Sequence, residues 1–307
     1  MEPLISICIP AYKRTDFIKR LLDSICAQNF TDFEVIITDD SDSDEVQHLC
    51  NLYQDKVPLV YYRNAYRSGT PENWNEAIRK AKGQWIKLMH DDDWFSNGNS
   101  LQRFVDAINK NPDASFIFSA YKNNYSETGK EENVFVDEYR YKQFQKNAAT
   151  LFSKNIIGPP SAVIHRKDNV LYDKNLKWLV DIDFYMRVLG SKKPVYINEP
   201  LITIGVNEQQ VTKFAFKNKE VEIPEYFYLL NKIGEKCLKN IFVYDAFWRM
   251  LRNLKIRNKQ DIMDSGYSGE ISSAIISMIN FQNKIPLSVL RAGFFSKLFM
   301  TISYVFS

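Results

Sequence analysis

The stretch Gln84-Trp85-Ile86-Lys87-Leu88-Met89-His90-Asp91-Asp92-Asp93-Trp94 runs from a largely apolar segment straight into three carboxylates. Such a run, preceded by Gly83 and closed by acids, reads as a strand buried on both faces of a parallel sheet. Three like charges at a strand end repel, and a hard divalent cation such as Mg²⁺ or Mn²⁺ relieves the repulsion. Carboxylates alone hold Mg²⁺ weakly, so a phosphate is the usual companion. A solvated acidic turn capping the next helix is the plainer reading of an isolated triplet. The surrounding chain has to decide between them.

Upstream, residues 4–9 form a second apolar run, ended by Pro10. Thr15 or Asp16 can cap a helix in which Phe17, Ile18, Leu21, Leu22 and Ile25 recur at helical spacing. Residues 33–38 read as a strand ending at Asp39-Asp40-Ser41, followed by a helix over about 43–54 and a strand at 59–62. Pro71 opens a helix that runs to Lys82, where Gly83 stops it. Past the triplet come a helix at about 99–110 and a strand at 114–119. This alternation predicts an α/β fold with a doubly wound, mostly parallel sheet flanked by helices. Ligands of such sheets bind beyond the carboxyl ends of the strands. Pro10-Ala11-Tyr12, Asp39-Asp40 and the triplet all fall there, so three motifs converge on one rim.

After residue 120 the alternation breaks. Residues 121–140 predict an irregular or antiparallel excursion, residues 162–165 a strand, and residues 181–189 a helix. From about Pro224 onward only helices are expected, which places a boundary near 206–223.

The 307 residues are 45% hydrophobic and 25% charged, as in ordinary globular proteins. A net charge of +3 is too small to argue for nucleic acid as a partner. Residues 207–307 carry 14 Lys and Arg against 9 Asp and Glu, leaving a net −2 for the first 206 residues. The basic tail is compatible with an anionic membrane, or simply with solvent. Cys8, Cys26, Cys50 and Cys237 are scattered without metal spacing, so buried free thiols are expected rather than zinc. No signal peptide is recognised at the start, which predicts a cytoplasmic protein.

Neither GxxxxGK[ST] nor GxGxxG occurs, so a diphosphate here would be held through a carboxylate-bound metal rather than a glycine cradle. Asp40 is placed to accept hydrogen bonds from a base or ribose, and equally to cap a helix starting near Asp42.

Three motifs, in this order and spacing, resemble family 2 glycosyltransferases of the GT-A fold. They are Ile7-Cys8-Ile9-Pro10-Ala11-Tyr12-Lys13-Arg14, Thr38-Asp39-Asp40-Ser41-Asp42-Ser43 and Met89-His90-Asp91-Asp92-Asp93-Trp94. Ser68-Gly69-Thr70-Pro71-Glu72-Asn73-Trp74-Asn75 resembles the family's G-x-x-x-N-x-N stretch. The resemblance covers roughly residues 4–212. It implies a Rossmann-like GT-A domain over 1–212, with a nucleotide-sugar half at 1–120 and an acceptor half at 121–212. A helical C-terminal extension would occupy 213–307. It further implies that Pro10, Tyr12, Arg14 and Asn73 belong to the nucleotide site and that Asp40 meets the base, uracil or thymine. Asp91 would face the ribose and Asp92 would bind Mn²⁺ or Mg²⁺. His90 and Met89 stand where the family carries its first acid and spacer, and Asp93 is read as a cap for the following helix.

An inverting transfer also needs a base to take the acceptor's proton. Trp178-Leu179-Val180-Asp181-Ile182-Asp183-Phe184-Tyr185 resembles the family's acidic motif, with Val180 replacing the common Glu. Asp181 is the expected catalytic base and Asp183 a partner at the helix N-terminus or an acceptor contact. Both acids would also simply favour a helix start through the dipole. Asn207-Glu208-Gln209-Gln210-Val211-Thr212 resembles the H-x-x-Q-x-T/S segment, with Asn207 in the His position.

QxxRW is absent and no transmembrane block follows, so a non-processive enzyme is expected. The implied partners are a nucleotide-sugar donor, UDP-sugar favoured, and a glycan or polyprenyl-diphosphate-linked acceptor in bacterial surface polysaccharide such as O-antigen or capsule. Residues 285–306 are apolar, with Arg291 and Lys297 inside. They read as an interfacial helix giving peripheral contact at the inner face of the plasma membrane, or as a core helix or dimer contact. Two other readings stand beside the enzyme: a non-catalytic nucleotide-sugar or lipid-binding GT-A-like partner, and a sugar-1-phosphate nucleotidyltransferase. The second lacks its Gly-rich loop, since Pro10-Ala11-Tyr12 occupies that place.

Overall fold

The computed structural model describes residues 2–190, 192–207 and 217–306. Its first half follows the predicted alternation. The order is β1 (Ile5–Ala11), α1 (Thr15–Cys26), β2 (Phe33–Asp39), α2 (Glu45–Asn51), β3 (Leu59–Arg63), α3 (Glu72–Lys80) and β4 (Trp85–Leu88). Then come β5 (Trp94–Phe95), α4 (Ser100–Lys110), β6 (Phe116–Tyr125), β7 (Lys130–Val134), α5 (Glu138–Lys146), β8 (Val163–Arg166), α6 (Val180–Leu189) and β9 (Val195–Val206). The strands form one sheet in the order β3-β2-β1-β4-β8-β6-β9-β5, with β7 paired to β6. The β3-β2-β1-β4 half is parallel, β8 runs antiparallel to both neighbours, and β6 and β9 are parallel. The fold is α/β, with a parallel nucleotide-side half and a mixed second half.

β1 is central and buried at all seven positions. Pro10 is tolerated there because β1 pairs with β4 only as far as Cys8. A Cβ on Gly83 would meet the Ser6 amide nitrogen at 2.6 Å, so glycine lets the chain enter β4 tight against β1. Ile18, Leu21, Leu22 and Ile25 bury one face of α1, as their spacing predicts.

Some boundaries differ. The cap position of α1 is Arg14, in left-handed backbone, so Thr15 and Asp16 lie inside the first turn. The helix before Gly83 ends at Lys80, and residues 121–134 are a regular hairpin of β6 and β7. Cys26 is exposed, against the expectation of burial, while Cys8 and Cys50 are buried.

The chain divides into two compact units. The first comprises Met1–Gln145, Ile156–Asn175 and Asp183–Glu208 and contains the sheet. The second comprises Lys146–Asn155, Leu176–Ile182 and Gln209–Ser307. Its helices are α7 (Lys219–Ile233), α8 (Ile241–Asn253), α9 (Lys259–Met263), α10 (Ser273–Asn283), α11 (Leu287–Arg291) and α12 (Gly293–Val305). Helix therefore begins five residues before Pro224, which lies inside α7. Phe227, Tyr244, Phe247, Trp248 and Leu251 are buried in this second unit, whereas Tyr228 is exposed.

Candidate active site

The rim of the first unit is built by loops leaving β1, β2 and β4. After β1, Lys13 and Arg14 both adopt positive φ, 61° and 32°, in the left-handed region that non-glycine residues rarely occupy. The Lys13 amide donates to Ser41 Oγ at 2.7 Å, which ties this turn to the loop after β2. Asp39 is a structural carboxylate: it accepts from the Ser41 amide and hydroxyl and from the Tyr61 hydroxyl. The turn directs Arg14 back to the end of β4. There its Nε donates to Asp91 Oδ2 at 3.0 Å and its Nη2 to Asp91 Oδ1. Nη1 also lies 3.5 Å from Asp92 Oδ2.

Asp40 holds the loop that follows β3. Its Oδ1 accepts from Asn64 Nδ2 (2.7 Å) and the Ser68 amide (3.1 Å), and its Oδ2 from the Gly69 amide (2.7 Å). It caps no helix, since α2 begins at Glu45. Asn73 extends the chain of contacts, accepting from Asn64 and donating to Ala11 O at 3.1 Å. Its side chain therefore clamps α3 to the end of β1. Tyr12 is half-buried, with the Arg67 guanidinium 4.1 Å from its ring centre.

All three triplet acids are buried. Asp92 Oδ2 accepts from Asn207 Nδ2 at 3.1 Å, and its carbonyl accepts from Arg20 Nη2 at 2.9 Å. Asp93 caps no helix: β5 follows it, and α4 starts at Ser100 with Asn99 in the cap position. Its Oδ1 accepts the Gly205 amide at 3.2 Å, while its buried Oδ2 lacks a hydrogen-bond partner and lies 3.8 Å from His90 Nδ1. His90, Asp92 and Asp93 present donor atoms within 4.8 Å of one another.

Electrostatics point the same way. Burial raises Asp91 to about 7 against the pull of Arg14. Asp93 is raised well above the carboxylate range by burial first and by Asp92 second. Burial lowers His90 to about 4, so its imidazole is neutral and able to ligate. The cluster wants positive charge; its two carboxylates suit Mn²⁺ or Mg²⁺, and a neutral imidazole among them favours Mn²⁺ over the harder Mg²⁺. His90, Asp92 and Asp93 thus form a donor set able to hold a divalent cation of the kind expected from the sequence. Met89, fully buried, belongs to the core.

Beneath the cluster lies Lys87, fully buried, donating to the carbonyls of Ser161 and of Val163 (3.3 Å). Burial lowers its pKa to about 7. The Ser161 hydroxyl in turn accepts the His90 amide at 2.9 Å.

In the second unit, Asp181 sits in the first turn of α6, half-buried, with Oδ1 buried and without a hydrogen-bond partner. Burial raises its pKa to about 7. The segment leading to it is held by Glu225 of α7, whose carboxylate accepts the amides of Lys177, Trp178 and Leu179, each at 2.8 Å. Asp183, in the first unit, is buried and ion-paired one turn on with Arg187 at 2.6 Å. Of the Asn207–Thr212 motif, only Asn207 is among the described residues.

Asn64, Gly205, Arg20 and Glu225 were missed by the sequence reading. Each acts across a long sequence separation; a glycine inside a strand pattern, as at Gly205, is the one local signal that marks close approach. A Cβ on Gly205 would run into the Asp92 carbonyl oxygen.

Comparison with known proteins bears on this geometry. The family model for glycosyl transferase family 2 matches residues 6–170. A Haemophilus influenzae protein named as an uncharacterized glycosyltransferase is 30% identical over 204 residues, covering 64% of this chain and 67% of its own. Escherichia coli WcaA, provisionally named a colanic acid biosynthesis glycosyl transferase, is 26% identical over 86% of this chain and 97% of its own. The crystal structure of S. aureus TarS 1-349 in complex with UDP-GlcNAc superposes with a TM-score of 0.66 at 18% identity, covering 100% of this chain and 91% of TarS 1-349. The shared fold is GT-A.

Proposed function

This chain belongs to glycosyl transferase family 2, and on that premise we propose that it transfers one sugar per encounter, with inversion, from a nucleotide-diphospho-sugar to a saccharide acceptor. The observation that carries the reading is the meeting of Arg14 with Asp91 and Asp92, the latter clustered with His90 and Asp93, at the carboxyl ends of β1 and β4. A guanidinium beside a carboxylate and imidazole donor set suits a diphosphate and its counter-cation.

In this reading Pro10, Tyr12 and Arg14 line the nucleotide pocket, with Asn73 fixing its floor through Ala11. Asp40 meets the base and Asp91 the ribose. Asp92, with His90 and Asp93, would hold Mn²⁺ or Mg²⁺, which would supply positive charge to offset that of the leaving diphosphate. A UDP-sugar, hexosyl or N-acetylhexosaminyl, is the favoured donor, in keeping with the UDP-GlcNAc complex of TarS.

The acceptor hydroxyl attacks the anomeric carbon from the face opposite the diphosphate. The new carbon–oxygen bond forms as the bond to the phosphate oxygen breaks, and that electron pair leaves with the nucleoside diphosphate. Asp181 takes the hydroxyl proton. Its raised proton affinity and unpartnered Oδ1 support the role. The acceptor is a glycan or a polyprenyl-diphosphate-linked saccharide of surface polysaccharide assembly, which agrees with the name given to WcaA. Such an acceptor would be met at the inner face of the membrane.

The test is Asp181→Asn. It should keep nucleotide binding while transfer falls about 10²–10⁴-fold. Wild-type turnover in this variant would remove Asp181 from the base role.

A further inference from the structure

Helix α12 is built inside out. A helix on a water-facing surface buries its apolar stripe and exposes its polar one. Here the buried positions are Ser296, Met300 and Ser303. Ser296 Oγ accepts from Trp248 Nε1 at 3.1 Å and from Arg252 Nη1 at 2.6 Å, and Ser303 Oγ shares a 2.8 Å hydrogen bond with the Tyr244 hydroxyl. Two serines of the helix are thus bolted to α8, either side of the buried Met300. Phe294, Phe295, Leu298 and Val305 are left exposed, Phe294 by 78% and Val305 by 70%. Positions 294, 298 and 305 recur at helical spacing, so these side chains share one outward face, with the exposed Lys297 and Thr301 between them.

The charge carried by this last part of the chain has one sign. From residue 271 to the last residue of the sequence there are three cations, Lys284, Arg291 and Lys297, and no Asp or Glu. All three cations are exposed.

We propose that α12 docks on an anionic lipid bilayer, with Phe294, Phe295 and Leu298 entering the acyl boundary while Arg291 and Lys297 reach the headgroups. Thirteen residues span only about 20 Å of helix, less than the hydrocarbon core. Among the described residues no helix is long and apolar enough to cross a membrane. The helix therefore lies in the plane of the interface, where long cationic side chains snorkel outward. A second copy of the chain is the poorer occupant, because a two-fold contact would set the same cations against themselves. This docking is independent of the sugar-transfer reading.

The experiment is flotation of the full chain with vesicles of phosphatidylcholine alone and of phosphatidylcholine mixed with phosphatidylglycerol. The wild type should float with the mixed vesicles and less with the neutral ones. The double variant Phe294→Ser, Leu298→Ser should bind at least tenfold more weakly while its melting transition is retained, since both side chains point away from the packed face. Lys297→Ser should cost about fivefold on mixed vesicles and little on neutral ones. Failure of the folded wild type to float with either vesicle overturns the proposal. So does sedimentation showing a dimer that the double variant dissociates while vesicle binding is unchanged.

Discussion

The guanidinium of Arg14 grips the carboxylate of Asp91 through two hydrogen bonds across 77 positions of sequence, joining the loop after β1 to the end of β4. The fork geometry is specific to arginine, whereas lysine offers a point charge. Arg14→Ala leaves Asp91 buried without its partner and should lower stability by about 1–3 kcal/mol. Arg14→Lys should recover part of that loss but not nucleotide affinity. Denaturant melts and nucleotide titration of both variants check this; equal recovery of both properties by lysine would remove the need for the fork.

Asp181 makes a pH prediction with a definite sign. Its folded pKa of about 7 lies above the ordinary aspartate value of about 3.9. Between those values the folded chain holds a proton that the unfolded chain has released, so this group makes stability fall as pH rises through the window. Asp181→Asn should flatten that slope, making the variant the more stable protein at neutral pH. Transfer by the wild type should lose about tenfold per pH unit below about 7, because the base must be ionised. Melting curves and rate profiles across pH test both halves.

Glu225 predicts a separation of kinetic constants. Its carboxylate satisfies three successive amides just before Asp181, and an unsatisfied buried amide costs about 1–3 kcal/mol. Glu225→Gln keeps the shape but weakens the acceptor. We expect kcat to fall about tenfold or more with KM for the donor unchanged, and Glu225→Ala to lose stability as well. A change in donor KM alone would contradict this positioning role.

The parallel half of the sheet was legible because strand ends there coincide with chemistry. Pro10, Asp39 and Asp91 mark the apolar runs of β1, β2 and β4 to within a few residues of the strand ends, although β1 continues through Pro10 to Ala11, and α1 announces itself through Phe17, Ile18, Leu21, Leu22 and Ile25. β9 was not legible. Its sequence Val195–Val206 is interrupted by Pro200, and its register against β6 slips twice near Ser119 and Ala120. The gathering of acids beyond β4 could be read from the triplet, but Asp93 looked like a cap because nothing local announces β5, only two residues long. The inverted face of α12 was equally hidden, since serines at 296 and 303 gain their meaning only from Trp248, Arg252 and Tyr244.

Gly205 offers a test of how tightly β9 must approach the acids. Its amide binds Asp93, and a side chain there would strike the Asp92 carbonyl. Gly205→Ala should keep the fold, yet displace the loop enough to weaken metal-dependent nucleotide binding about tenfold. Titration with and without Mn²⁺ measures it; an alanine variant that binds like the wild type would mean the strand can shift freely.

The central claim is a donor site completed by a divalent cation, and calorimetric titration of UDP tests it most directly. The titration is run with and without Mn²⁺ on the wild type and on Asp92→Ala. Binding that requires the metal and is lost in the variant is the predicted result. Absence of UDP, dTDP and GDP binding to the folded wild type, with Mn²⁺ and with Mg²⁺, would contradict the account.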